Sequence, residues 1–474
     1  MDRREKPRNI RELQLANYKV LPVKDEMRRN LILKMKKGEK FFPGIIGYED
    51  TVVPQLENAI LAGHDIVFLG ERGQAKTRIM RNLIYLLDEE VPVIKGCEIN
   101  DNPFKPICKS CQRRLENDGQ DVEISWLRRE ERYGEKLATP DTTIADLIGE
   151  VDPIRVAEGR YLSDELTIHY GLIPRTNRGI FCINELPDLA ERIQVGLFNV
   201  LEERDIQIRG YKIRLPLDIY LVASANPEDY TSRGRIITPL KDRYGSQIRT
   251  HYPRSREDEI KIMDLECNCP PADSSIPKGH EVEVLVPEFM KEIIAEITAL
   301  ARKSPEINQR SGVSVRVSIS DYELMIANAQ RRAIKLGEKK AVPRISDLPS
   351  ILASLNGKVE LESVEEGAAM KLLEGLLKKS VLNTFNSYFS IEDFSGLVEK
   401  FNTGLQVEIS ENLPSAKYTE IAQSLGDLGK SLEKLKLKSS PSEIACALEF
   451  ILEGLHISRK LNKDRLQGKT YYRL

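Results

Sequence analysis

The stretch Ile66-Val67-Phe68-Leu69-Gly70-Glu71-Arg72-Gly73-Gln74-Ala75-Lys76-Thr77 decides the fold. Four consecutive apolar residues predict a buried strand. A glycine-bearing loop follows, then Lys-Thr, then apolar residues at helical spacing: Ile79, Met80, Leu83, Ile84 and Leu87. Strand, loop and helix in that order predict a phosphate-binding loop. Gly70 and Gly73 permit a tight turn whose backbone N–H groups point inward at a phosphate. The helix N-terminus adds partial positive charge. Lys76 is placed to reach outer phosphates, and the Thr77 hydroxyl to ligate Mg²⁺. Glycine is usual before the lysine; Ala75, less free in φ, stands there instead. An ordinary glycine turn before a helix accounts for the glycines, but not for Lys-Thr in this context.

Outward from the loop, other stretches carry the matching chemistry. Upstream, Phe42-Pro43-Gly44-Ile45-Ile46-Gly47-Tyr48-Glu49-Asp50 sets an apolar pair and a glycine ahead of a helix. Ile46 and Gly47 could cover an adenine ring, but apolar pairs before a helix are usually core. Downstream, Gly179-Ile180-Phe181-Cys182-Ile183-Asn184-Glu185 predicts a short buried strand ending in a polar pair. In phosphate-loop ATPases a carboxylate at the first of these positions orients Mg²⁺-bound water, and the second activates the attacking water. Glu185 suits the second role. Asn184 stands where Asp is usual. Its amide still accepts hydrogen bonds from metal-bound water but adds no charge, so weaker metal binding or slower turnover is expected. Ile219 to Pro227 predicts another buried strand, with Asn226 at its tip facing a γ-phosphate or the attacking water. Asp242-Arg243 reads by itself as a surface ion pair; in an oligomeric ATPase such an arginine serves the neighbouring subunit's site.

Composition bounds the class. The chain has 474 residues, 41% hydrophobic and 30% charged, with a net charge of -2. That balance gives no global reason to expect nucleic-acid or membrane binding. No apolar run approaches a membrane span, and the polar N-terminal residues lack an apolar signal core, so a cytoplasmic protein is expected. Seven irregularly spaced cysteines do not form a disulfide framework. Cys108-Lys109-Ser110-Cys111 has the spacing of half a zinc knuckle, and Cys97 is a possible third ligand. No nearby histidine or cysteine pair completes four, so reduced, unliganded thiols are expected.

The remaining elements are coarser. Val91 to Ile94 predicts a second strand, and a helix is expected around Trp126 to Tyr133. Tyr161-Leu162-Ser163 with Leu166-Thr167-Ile168, and Asp205 to Leu215 about Gly210, predict hairpins. Val313 to Ser320 opens a helix, with Ser320 and Asp321 suited to its N-cap. The region after residue 358 predicts amphipathic helices at Glu365–Lys379, Tyr418–Leu437 and Ser442–Lys460, then a basic tail with the character of a mobile terminus.

Taken together, "FPGIIGYED", "GERGQAKT", "GLIPRTNRGIFCINE", "ASANPED" and "PLKDRYGSQI" resemble segments of the AAA+ ATPases of the MoxR and magnesium-chelatase ATPase-subunit group, over roughly residues 42–350. That resemblance implies an α/β fold: a phosphate-loop core with a parallel sheet flanked by helices, a helical lid, and a ring, usually hexameric, with ATP sites between neighbours. It implies ATP and Mg²⁺ as cofactors. Ile46, Gly47 and the loop Gly70, Glu71, Arg72, Gly73, Gln74, Ala75, Lys76, Thr77 and Arg78 would hold the nucleotide, with Thr77 and Asn184 at the metal. Glu185, Asn226, Arg243 and Arg316 would act in catalysis: water activation, first sensor, arginine finger and second sensor. For Arg316 a surface arginine on a short strand is an equal alternative. The stretch from Gly149 to Ile173 and the hairpin from Ile206 to Leu215 match the group's inserted elements. The organisation expected is an N-terminal arm and helix (1–41), the core (42–265), the lid (280–357) and a C-terminal helical region of unknown role (358–474). The function expected is ATP-driven remodelling of a protein partner, one carrying a von Willebrand A-type domain. The alternatives are the ATPase subunit of a magnesium chelatase acting on a porphyrin, and a slow-hydrolysing nucleotide-gated scaffold.

Overall fold

The computed structural model describes residues 6–40, 42–151, 167–207, 214–226, 234–268, 282–308, 312–361, 368–426, 428–466 and 469–474. The chain forms two compact units, Met1–His251 and Tyr252–Leu474.

The first unit is built on five parallel strands: β1 (Ile66–Leu69), β2 (Tyr133–Leu137), β3 (Gly179–Asn184), β4 (Ile219–Ala225) and β5 (Ser246–Arg249), in the order β5-β1-β4-β3-β2. All residues of β1 and β4 are buried, as continuous apolar runs in a sheet covered on both faces require. Successive side chains alternate between two cores. Ile66, Phe68, Ile180, Cys182, Tyr220 and Val222 pack with the helices Val23–Lys37 and Val52–Ala62. Val67, Leu69, Phe181, Ile183, Leu221 and Ala223 pack on the other face, against Ile193, Leu197 and Val200. The fold class is therefore an α/β phosphate-loop core, a parallel sheet flanked by helices.

The N-terminal helix Val23–Lys37 is locked onto this core. Glu26 takes two bonds from the Arg132 guanidinium, at 2.7 and 2.6 Å, and both groups are almost fully buried. Arg132 Nε also donates to the Arg178 carbonyl at 2.8 Å. The fork-to-carboxylate geometry satisfies both charges at once.

One expectation for this unit is corrected. The segment from Trp126 to Tyr133 holds no α-helix. It contains strand Ile124–Arg128, which pairs antiparallel with Glu90–Ile94, then a 3-10 turn, then β2 at the sheet edge. Half-buried edge strands carry charge on their open side, and Tyr133-Gly134-Glu135-Lys136-Leu137 has no apolar run to announce it. The hairpin expected at Tyr161 to Ile168 lies mostly outside the described residues, where only Ile168–Tyr170 is seen, pairing with Gly149–Val151. The strands Asp205–Gln207 and Arg214–Pro216 do pair antiparallel; the centre of that hairpin also lies outside the described residues.

The second unit is helical. Glu288–Ala301, Val315–Leu336, Ala368–Tyr388 and Pro441–Ile457 surround one core that includes Phe289, Phe385 and Phe450. The Phe289 and Phe450 rings stack at 4.4 Å. Residues on both sides of position 357 share this core. Helix Val315–Leu336 begins earlier than the sequence predicts. Its N-cap is Ser314, whose side chain accepts the Arg316 N–H, so Ser320 and Asp321 lie inside the helix and Asp321 is fully buried. The expected helix Tyr418–Leu437 is two, Ser415–Leu425 and Gly429–Lys434, parted at Gly426 with φ 113°. The tail is not a loose end: Asn462–Leu466 and Lys469–Arg473 form a hairpin that extends onto Val407–Ile409.

Candidate functional site

The site is assembled at the end of the sheet where the parallel strands finish. β1 ends at Leu69, opposite Ala225 of β4, and β4 in turn pairs Ala223 with Ile183 of β3. Continuing that register sets Glu185 level with Ala225 and Leu69, two strands away, or about 10 Å. The phosphate loop and the Asn184-Glu185 pair therefore share one edge.

The loop is held from within. Gly70 N–H donates to the Ala225 carbonyl at 3.1 Å. A methyl group on Gly70 would fall 1.8 Å from Thr250 Oγ1 and 2.3 Å from Gln74 Oε1, so no side chain fits there. Gln74 is buried; its Oε1 accepts from the Glu71 N–H at 3.1 Å and from the Thr250 hydroxyl at 2.7 Å. The buried Tyr48 hydroxyl lies 2.9 Å from the Gln74 carbonyl and 2.7 Å from the His251 carbonyl. Burial pushes that phenol up to about 12, so it stays a neutral donor. Gly47, with φ 79°, turns the chain just before Tyr48, and Ile46 beside it is half-buried. Arg78 lays its guanidinium over Gly44 in the same turn.

Two backbone positions bend the loop into the left-handed region. Gly73 has φ 76° and Ala75 has φ 56°. Ala75 adopts the conformation that glycine would take without cost, at a penalty of about 1–2 kcal/mol. Lys76 begins helix Lys76–Asn82 and is 6% exposed. Its ammonium donates to the Gly70 carbonyl and, at 2.8 Å, to the Glu71 carbonyl. The charge is thus held in the mouth of the loop. Glu71 and Gly73 are half-buried and Arg72 is exposed.

The polar pair on β3 reaches the same place. Asn184 Nδ2 donates to Thr77 Oγ1 at 3.0 Å. Asn184 Oδ1 accepts from the Ser224 hydroxyl, and Ser224 Oγ accepts the Glu185 N–H at 3.1 Å. The two residues expected at a metal are therefore in direct contact. Glu185 sits at φ 57°, ψ 50°. A non-glycine residue held there at a strand end is a strained position of the kind found at active sites. Asn226 follows β4 and is 4% exposed.

Arg243 is elsewhere. It closes helix Thr238–Arg243 ahead of β5, whose first residue, Ser246, pairs with Ile66 at the start of β1. It therefore stands at the opposite end of the sheet from Gly70, beyond the roughly 13 Å length of a four-residue strand. Its guanidinium bonds Glu202 at 2.7 Å and lies 4.5 Å from the Phe198 ring centroid. Arg316 is exposed in the first turn of Val315–Leu336, in the second unit. The braces Gln74–Thr250, Ser224 and Tyr48 had no separate signal in the sequence, because each acts through a fold-dependent contact.

The parallel strands of this α/β unit thus finish at a glycine loop and gather Lys76, Thr77, Asn184 and Glu185 on one edge. No protein-family model matches the chain. "Uncharacterized protein YeaC" of Bacillus subtilis (strain 168) is 25% identical over 151 residues, covering 30% of this chain and 46% of YeaC, so the chain spans about half the length of that relative. Among solved structures, the complex of the magnesium chelatase subunits BchI and BchD is 18% identical, over 70% of this chain and 98% of that one, with a TM-score of 0.35. NtrX from Brucella abortus is 12% identical, over 83% of this chain and 72% of that one, with a TM-score of 0.42.

Proposed function

We propose that the first unit binds ATP with Mg²⁺ and hydrolyses it, as an AAA+ ATPase of the MoxR and magnesium-chelatase type that remodels a protein partner. The observation that carries this reading is the contact of Thr77 with Asn184 at the mouth of the loop that holds Lys76. The site fits a triphosphate: the Gly70 cradle excludes any Cβ, the buried ammonium supplies charge, and the Thr77 and Asn184 oxygens lie side by side. Mg²⁺, when bound, screens the triphosphate charge and polarises the terminal phosphoryl group.

The chain's own residues do the rest. Loop N–H groups and Lys76 bind the outer phosphates. Thr77 and Asn184 orient the metal's ligands. The Glu185 carboxylate takes the proton of the attacking water, and Asn226 positions that water against the γ-phosphate. Arg243, far from its own loop, serves the site of a neighbouring copy, which needs a head-to-tail ring; a hexamer is proposed. Ile46 and Gly47 lie against the base, with Arg78 behind them, and Arg316 acts as second sensor. The partner proposed carries a von Willebrand A-type domain. A porphyrin metal chelatase would use the same ATP site and differ in its partner subunits.

Asn184 favours a second reading, a nucleotide-gated scaffold with slow turnover, because its amide gives the metal no negative charge. The deciding experiment is Glu185→Gln. Bound ATP that persists, with turnover lower by about 100-fold or more, is expected. Unchanged turnover would remove Glu185 from the reaction.

A further inference from the structure

We propose that Cys97, Asp101, Cys108 and Cys111 form a structural zinc site. Their four donor atoms, three sulfurs and one carboxylate oxygen, all lie within 4.8 Å of one another. A tetrahedral zinc with Zn–S bonds near 2.3 Å holds its sulfurs about 3.8 Å apart. Closing onto one ion therefore needs only side-chain adjustment. All three cysteines are free thiols.

The local fold prepares the donors. Cys108 is the N-cap of helix Lys109–Asp118, and its Sγ accepts the Cys111 N–H at 3.4 Å. Cys97 Sγ accepts the Asp101 N–H at 3.4 Å. These bonds fix the direction of the two sulfurs. Asp101 is fully buried; one carboxylate oxygen accepts from the Ile107 N–H at 3.2 Å and the other from the Cys108 N–H at 3.1 Å. Each oxygen keeps a further lone pair for a metal, and the N–H groups fix its direction. No lysine or arginine among the described residues forms an ion pair with Asp101. A buried carboxylate beside three thiols, with no cation, is costly; one divalent ion bound by all four removes that cost.

The donor set selects the ion. Three thiolates and one carboxylate suit zinc and not the oxygen-seeking Mg²⁺ or Ca²⁺. Cys108 and Cys111 are buried, so four protein ligands close the site, as in structural rather than catalytic zinc. The fourth ligand is neither histidine nor cysteine: the spacing Cys-x3-Asp-x6-Cys-x2-Cys supplies a carboxylate. The site pins the long segment between strands Glu90–Ile94 and Ile124–Arg128. That segment in turn braces the approach to β3: Asn177 donates to the Ile99 carbonyl at 3.0 Å, and Asn100 to the Arg175 carbonyl at 2.8 Å.

The test is metal analysis of the full chain, purified without added metal or chelator. About one zinc per chain is expected, falling to about none in Cys108→Ser and in Asp101→Asn. Replacement by cobalt should give the visible bands of tetrahedral thiolate coordination, absent in Cys108→Ser. Wild-type protein with less than about a tenth of an equivalent of zinc, and with thiols whose reagent reactivity added zinc does not slow, would overturn the proposal. So would stoichiometric zinc that survives Cys108→Ser, or iron in place of zinc. The wild-type measurement decides even if a variant does not fold.

Discussion

The phosphate-loop end of the first unit and the interior of the second handle polar side chains in opposite ways. In the first, Lys76, Thr77, Asn184 and Glu185 collect at one end of a sheet, with Lys76 resting on loop carbonyls and Asn184 on a hydroxyl. In the second, polar groups are sealed between helices. Arg332 bonds Asp347 at 2.9 Å and the Val342 carbonyl at 2.7 Å, and Asp347 also accepts from the Asn328 amide and the Arg344 N–H. The Tyr418 hydroxyl donates to Glu449 at 2.6 Å. Each of these groups has a protein partner that fixes it. The first arrangement gathers polar groups at one edge of a sheet; the second uses them to specify packing.

The largest effect should come from the sealed network. Arg332→Ala would leave the fully buried Asp347 carboxylate without its cation and destabilise the second unit by about 3–5 kcal/mol, read by denaturant unfolding. A loss under about 1 kcal/mol would mean that water or another partner compensates, and the contrast between units would weaken. Next, Lys76→Ala should lower ATP affinity about 100-fold or more, measured by titration with a fluorescent analogue. Retained affinity would place the phosphates elsewhere.

Asp321 sharpens the contrast from the other side. Burial pushes its carboxyl up to about 8, against 3.8 unperturbed, with Ser354 and Lys358 opposing the rise. Between those values the folded chain holds a proton that the unfolded chain has released. Stability is therefore full below about pH 4 and is lost as pH rises towards about 8. Asp321→Asn, neutral throughout, should abolish this decline and leave the protein more stable than wild type near pH 7.5, read by denaturant unfolding across pH. A variant with the wild-type pH slope would assign the decline to other groups. The smallest effect belongs to the open loop: Ala75→Gly relieves the left-handed strain, less the entropy glycine adds to the unfolded chain, for about 0.5–1 kcal/mol by thermal unfolding. Destabilisation would show that the alanine methyl packs usefully.

What the sequence made legible follows the same division. β1, β3 and β4 announce themselves as apolar runs ending in glycine or polar residues, because central strands are buried on both faces. β2 does not, since an edge strand presents Glu135 and Lys136 in a half-buried setting. The contact of Thr77 with Asn184 spans 107 positions and follows from motif order. Asp101 did not stand out, because a lone aspartate in a polar loop has no pattern until the chain buries it. The C-terminal strands are illegible for a related reason: Asn462-Lys463-Asp464-Arg465-Leu466 reads as solvated charge, and only pairing with Lys469–Arg473 makes it a strand.

That last hairpin also orders events in time. Lys469–Arg473 is the middle strand of its sheet, so Val407–Ile409 and Asn462–Leu466 touch it and not each other. Glu453 receives the Tyr472 phenol from nineteen positions later in the chain. On the ribosome, helix Pro441–Ile457 emerges before the strand that completes its surroundings. Closure of the second unit therefore waits for residue 473 to clear the exit tunnel, while the first unit, whose sheet is finished by Arg249, is free to fold during synthesis.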